Sequence, residues 1–334
     1  MLKKIILSVV GIVVLLAVIG MLLPRQVHLE RSIDIDRPAS LVYATVNSFQ
    51  RFAEWSPWAD LDPNMTQSIE GPRTGVGAKL SWSGNDKVGT GTQVITASEA
   101  NVSVDNDLDF GDMGKAKAGF RLTPAEGGTH VVWSMDADMG AGPVGRYFGL
   151  FMDKAVGADY EKGLARLKTL IEKLPAVDIA GMVVDEVELP AHAIAYVSKT
   201  TATDNAAISK GYADAYAAVG TFIAKNQLTA TGAPVGIDGA MSETSYSFDA
   251  GIPIDRADVE GAGDVQIKDS YAGKALKFVH VGPYETLEDS YRKMDAYIAA
   301  QGYEKNGATM AVYVDDPTKV PAEEMRTELY WPVK

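Results

Sequence analysis

Between Lys4 and Arg25 the chain runs from Ile5 to Leu23 without a charged residue. Roughly 19 apolar residues make a helix long enough to cross bilayer hydrocarbon. A cleaved secretory signal has a shorter apolar core, about 7–15 residues, and a small-x-small cleavage site. The segment Ala17-Val18-Ile19-Gly20 before Met21-Leu22-Leu23 offers no such site, and with no cysteine the chain has no lipoprotein attachment point. Residues 1–24 therefore read as a retained, single-pass anchor in the cell (inner) membrane. Lys3, Lys4 and the amino terminus outweigh Arg25 across the span, which puts the N-terminus in the cytoplasm and the rest in the periplasm or outside the cell.

The roughly 310 residues after the anchor exceed one ordinary domain and suggest two. The formal net charge is −13, from 44 acidic and 31 basic residues. Such a surface repels phosphate backbones, so nucleic acid is excluded as an expected partner. With 46% apolar and 22% charged residues the composition is globular.

From Gln26 the pattern alternates through Val27, Leu29 and Ser32-Ile33-Asp34-Ile35, as a strand does; Ser40 then reads as the N-cap of a helix carrying Val42, Tyr43, Val46 and Phe49. Short β segments follow at 78–83, 91–96, 102–110, 119–123 and 130–135, separated by glycine turns. A helix from about Pro143 to Leu174 comes next. Its apolar positions Phe148, Phe151, Met152, Ala155, Val156, Leu164, Leu167, Leu170, Ile171 and Leu174 predict one buried stripe. Strand, helix, antiparallel strands and a long closing helix describe an α+β domain over 25–175.

Residues 182–334 contain an internal repeat. A strand (183–197), a helix around Tyr212 to Leu228, the segment Ala233-Pro234-Val235-Gly236-Ile237 and the strand 244–248 recur as 265–281, Tyr284 to Gln301, 308–313 and 327–333. Two β-α-β-β units in tandem predict one sheet with both helices on one face and the other face free to curve around a ligand.

Several chemistries are excluded. Histidines at 28, 130, 192 and 280, with no cysteine, make no metal-ligand spacing. Gly75-Val76-Gly77 and Gly89-Thr90-Gly91 are turns without the following helix that a dinucleotide loop requires. No P-loop and no nucleophile elbow occur, so no cofactor is expected.

The residues Phe52-Ala53-Glu54-Trp55-Ser56-Pro57-Trp58 with Asp62-Pro63, the strand 127–134 and Gly163-Leu164-Ala165-Arg166-Leu167-Lys168 resemble the SRPBCC superfamily of START-related polyketide cyclase/dehydrase proteins. That resemblance implies a helix-grip fold, a sheet wrapped on its C-terminal helix around a deep apolar cavity. His280-Val281-Gly282-Pro283-Tyr284-Glu285, Asp315-Asp316-Pro317 with Pro321, and the terminal 327–333 strand look like GyrI-like effector-binding domains of bacterial multidrug-sensing regulators. In that family an acidic residue of the last strand sits in the ligand pocket, and Glu328 is its match. Some members are hydrolases of strained cyclopropane-containing compounds that use that acid with an aromatic partner.

Alternation puts Glu328 on one sheet face with Tyr330. A carboxylate among aromatics suits a lipophilic cation, and burial there would raise its pKa. Tyr284 and Tyr313 are expected pocket walls. His280 is expected to hold the strand-to-helix turn, with a site role as the alternative. In the first domain Trp55, Trp58, Trp82 and Trp133 are expected as core or cavity lining; Arg121 and Asp136 are expected as ordinary surface residues of β segments, with reach into that cavity as the alternative. The expected function is membrane-anchored binding of small apolar or amphipathic molecules, for sensing, sequestration or envelope stress defence. A hydrolase acting through Glu328 and a scaffold for a partner protein are the alternatives.

Overall fold

A computed structural model describes residues 2–334, which form two compact units. The first runs to Ala180 and includes Ala296–Gly302; the second comprises Gly181–Asp295 and Tyr303–Lys334.

The first unit opens with α1 (Leu2–Leu22), a 21-residue helix whose only buried residue is Gly20. It continues through β1 (Gln26–Ile35), α2 (Ala39–Val46), α3 (Phe52–Trp55), β2 (Thr66–Glu70), β3 (Lys79–Ser83), β4 (Thr90–Glu99), β5 (Ser103–Asp109), β6 (Lys115–Ala125), β7 (Gly128–Asp138) and α4 (Pro143–Glu172). The strands form one antiparallel sheet ordered β1-β7-β6-β5-β4-β3-β2, with β1 paired to the last strand from Gln26↔Asp138 to Ile35↔Thr129. Strand β2 is absent from the sequence-based reading because all five of its residues are exposed, leaving no buried alternation to detect. Ser40 is not the cap of α2. It lies inside the helix, where its hydroxyl donates to Asp178 Oδ1 at 2.6 Å.

The second half of α4 closes the sheet. Its buried residues are Gly157, Tyr160, Gly163, Leu164, Leu167 and Ile171. Phe120, Trp133 and Tyr160 stack at centroid distances of 5.3 and 3.7 Å, and Trp55 meets Trp133 edge-on at 5.5 Å. Trp133 is only 3% exposed, and these rings occupy the space between α4 and the sheet where the resemblance implied a cavity. The predicted single stripe is divided in two. Phe148 and Phe151 are 70% and 67% exposed, because at that end of the helix Gly145 and Gly149 are the residues facing the sheet, against Met139 and Val27.

The polar residues proposed for a first-domain cavity point outward. Arg121 follows inward-facing Phe120 and pairs with Asp105 at 2.7 Å; Asp136 lies between buried Met135 and Ala137 and contacts His28 Nδ1 at 2.8 Å. Period-two alternation along β6 and β7 makes both placements unavoidable. Trp82 is half-buried against Phe110, with centroids 5.9 Å apart.

The second unit comprises β8 (Asp185–Leu189), β9 (Ala193–Thr201), α5 (Asn205–Lys225), β10 (Val235–Met241), β11 (Tyr246–Pro253), β12 (Gln266–Asp269), β13 (Gly273–Val281), α6 (Leu287–Gln301), β14 (Met310–Tyr313) and β15 (Arg326–Pro332). The Asp204 carboxylate caps α5 by accepting the Ala207 N–H at 2.9 Å. The eight strands form one sheet ordered β12-β9-β11-β10-β14-β15-β13-β8, which reads the same from both ends when the two repeats are interchanged. The single strands expected at 183–197 and 265–281 are each broken in two. Pro190 ends the first piece of one, since proline has no N–H for the ladder. In each repeat the short first piece pairs with the other repeat: β8 with β13, and β12 with β9.

Close approach of α4 to the sheet depends on Gly163, where a Cβ would lie 2.8 Å from the Trp133 ring and 3.1 Å from Pro57. The Gly163→Ala variant gains up to about 1 kcal/mol of helix propensity but overpacks a filled core, which costs ~1–3 kcal/mol. Urea unfolding should show a net loss of stability; an unchanged midpoint would mean that α4 does not press on Trp133.

Candidate functional site

The register of the second sheet decides which side chains can meet. Paired residues point to the same face. Phe248 and Ala250 pack in the core beneath α5, so their partners Asp238 and Gly236 also face the helix, as does Ala311, which pairs with Gly236. Ala311 pairs with Leu329, and Tyr313 with Thr327, so these residues share that face. Glu328 and Tyr330 alternate onto the opposite one.

On the helix side the sequence brings four tyrosines together. Tyr212 and Tyr216 stand four residues apart on α5 and so emerge on one side of it. Tyr212 stacks on Phe248 at 3.9 Å and meets Tyr313 edge-on at 5.9 Å; Tyr216 and Tyr284 meet Tyr313 edge-on at 6.5 and 5.3 Å. Gly236 admits the Tyr212 ring, for a Cβ at 236 would be 2.7 Å from its hydroxyl.

The tyrosines wall a cleft of about 700 Å³ together with Ile208, Pro234 and Leu287. This volume is within the usual range of small-molecule sites, about 300–1,000 Å³. Three carboxylates line the mouth: Glu285, Asp315 and Asp316. Asp315 is held below the usual carboxylate range by bidentate contact with Arg326, both distances 2.9 Å. The Thr318 hydroxyl and N–H, with Lys319, hold Asp316 at about 2.

A fourth carboxylate lies behind the wall. The Tyr246 hydroxyl donates to Asp238 Oδ1 at 2.6 Å and stands 3.5 Å from the Tyr212 hydroxyl, linking the cleft wall to the acid. Burial raises the Asp238 pKa despite opposing hydrogen bonds from Tyr246 and Tyr291. Burial also pushes the phenols of Tyr212, Tyr216 and Tyr313 far above their ordinary value, which keeps them neutral donors.

Of the residues singled out by sequence, Tyr284 and Tyr313 line the cleft. Glu328, Tyr330 and His280 do not. Glu328 stands on the helix-free face, where Lys277 Nζ approaches Oε1 at 2.6 Å and the Tyr330 hydroxyl donates to Oε2 at 2.6 Å. Burial alone would raise its pKa, but Lys277, Tyr330 and Arg326 outweigh burial and leave it lowered, contrary to the sequence-based expectation. His280 is buried, with Nδ1 2.8 Å from Ser290 Oγ and Nε2 3.3 Å from the Pro283 carbonyl, so it holds the turn into α6. The sequence-based selection missed Tyr216, Asp238, Tyr246 and Tyr291, and took Tyr212 only as the start of a helix. The four-residue spacing of Tyr212 and Tyr216 was a readable signal; nothing local marked Asp238, whose placement depends on pairing with Phe248.

Residues 26–172 match the family model described as polyketide cyclase / dehydrase and lipid transport, and residues 182–334 the GyrI-like small molecule binding domain. No curated protein matches the chain. Among solved structures, the EcmrR C-terminal domain is 19% identical, covering 46% of this chain and 98% of its own at a TM-score of 0.42. A hydrolase from Listeria innocua is 17% identical, covering 45% and 91% at a TM-score of 0.34. Ara h 8.0201 is 13% identical, covering 43% and 99% at a TM-score of 0.32.

The raised pKa of Asp238 gives a signed stability prediction. Its ordinary value is 3.8, so between that pH and its higher folded value the native state holds the extra proton, and stability is lost as pH rises through the window. An Asp238→Asn side chain cannot ionise. The stability difference between this variant and the wild-type protein should therefore move in favour of the variant from pH 4 to 7 in parallel thermal melts; a difference independent of pH would show that Asp238 is not desolvated.

Proposed function

We infer that this chain, which joins a polyketide-cyclase-type domain to a GyrI-like domain, is a membrane-anchored receptor for small, apolar, cationic molecules, bound in the tyrosine cleft of the second unit. Both domains belong to small-molecule-binding families. The observation that carries the cation preference is the cleft itself. Four neutral phenol rings supply apolar surface and π faces, while Glu285 supplies negative charge at the mouth beside Asp315 and Asp316, whose charges are offset by Arg326 and Lys319. A cation over an aromatic face is worth about 0.5–2 kcal/mol according to its desolvation. Anions are repelled, and a neutral apolar ligand forgoes the cation–π and rim terms.

The anchor reading is supported by α1, which is long and apolar enough to cross a membrane. An apolar cation partitions to the bilayer surface, so a tethered receptor samples a higher local concentration of it than a free one. The hydrolase alternative gains nothing from the geometry, because Glu328 is paired with Lys277 and lies outside the cleft.

Tetraphenylphosphonium and its neutral relative triphenylphosphine oxide distinguish these terms when titrated into the full chain in nanodiscs, with binding followed calorimetrically. The cation should bind more tightly. Tyr313→Ala should weaken it by about tenfold, the factor corresponding to roughly 1.4 kcal/mol, while Glu328→Gln leaves it unchanged. Loss of binding in Glu328→Gln with Tyr313→Ala intact would overturn the assignment.

A further inference from the structure

The first turns of α4 are built for an apolar surrounding. Residues 143–152 include one charged side chain, Arg146, and from Asp153 onward the helix becomes polar. Arg146 is already committed: its Nη1 donates to the carbonyls of Met21 at 2.5 Å and Leu23 at 3.1 Å, groups that the end of α1 leaves without helical partners. The Tyr147 hydroxyl donates to the Leu16 carbonyl at 2.8 Å. Gly20 lets the two helices touch, since a Cβ there would be 2.6 Å from Pro143 Cβ. Leu16 to Leu23 of α1 and residues 143–147 of α4 therefore lie at the same depth.

Turned away from both α1 and the sheet, Val144, Phe148 and Phe151 follow at steps of four and three on one face of α4, and all three are largely exposed. They form an exposed apolar face that begins beside the end of α1, and patches of this kind mark contact with a membrane or another protein. Depth decides between these. Whatever medium surrounds the last turns of α1, which carries no charge from Ile5 to Leu22, also surrounds Arg146 and Tyr147, hydrogen-bonded to its side.

We propose that residues 143–151 of α4 enter the bilayer beside α1, so that the first unit is seated in the membrane–water boundary by two segments instead of hanging from one. This rests on the reading of α1 as a membrane anchor. Val144, Phe148 and Phe151 meet acyl chains, and Asp153 with Lys154 marks the return to water.

The chain has no native cysteine, so single positions can be labelled. Val13→Cys, Phe148→Cys, Phe151→Cys and Ala158→Cys would each carry a bimane fluorophore on the full-length protein in phosphatidylcholine–phosphatidylglycerol vesicles, quenched either by acyl-brominated lipid or by aqueous iodide. Bromolipid should quench at 13, 148 and 151, and iodide should quench at 148 or 151 several-fold less than at 158, the exposed polar part of α4. Quenching by bromolipid at 13, with 148 and 151 as open to iodide as 158, overturns the proposal and leaves the anchor standing. Bromolipid quenching nowhere overturns the anchor and the proposal together. Protection of 148 and 151 from both quenchers means that protein covers the face, and also overturns it.

Discussion

Tyr212 lying flat on Phe248, over the hydrogen of Gly236, is the contact from which the tyrosine cleft is built. It fixes the distance of α5 from the sheet, and so whether Tyr216 and Tyr313 can meet across the opening. A second glycine works with it: at Gly211 a Cβ would press on Thr201 and the Phe248 ring. Buried aromatic pairs add about 0.5–1.5 kcal/mol beyond their apolar area, but here the geometric consequence is larger than the energetic one.

The opposite face of the same sheet shows what alternation does with equally polar sequence. Lys277, Glu328 and Tyr330 form one hydrogen-bonded group there, and Lys268, Asp249 and Ser198 another. Each carboxylate has a cation at close range, so neither leaves a charge for a ligand to complete. On the helix side Asp238 is met by the hydroxyls of Tyr246 and Tyr291, and these do not offset its burial. One sheet thus separates carboxylates paired with lysines from one met by phenol hydroxyls.

Much of this architecture was legible in the sequence. The apolar N-terminal run, the alternation of β1, the length of α4 and the repeat of 182–334 each follow a strong period, and the one-sheet arrangement of the repeat follows from its symmetry. The site was less legible. Tyr284 and Tyr313 could be named because motif and turn residues surround them, but the face of the sheet that carries the cleft depends on register, which no local pattern reveals. The same limit left Arg121 and Asp136 open between the surface and a cavity, and pairing with Asp105 and His28 places them outside. For α4 the three- and four-residue period was real, yet periodicity cannot say that a stripe stops being covered where Gly145 and Gly149 turn toward the sheet.

The exchange of β8 and β12 between the repeats has a consequence for how the second unit can come apart. Each half closes the outer edge of the other, so neither repeat possesses its own complete sheet. Separation of the two repeats would bare the N–H and C=O rows of β9 and β13 together, and open edges of that kind recruit other strands. The repeats are therefore bound into a single cooperative body. Opening along the seam between β10 and β14 would expose unpaired strand edges in the same way.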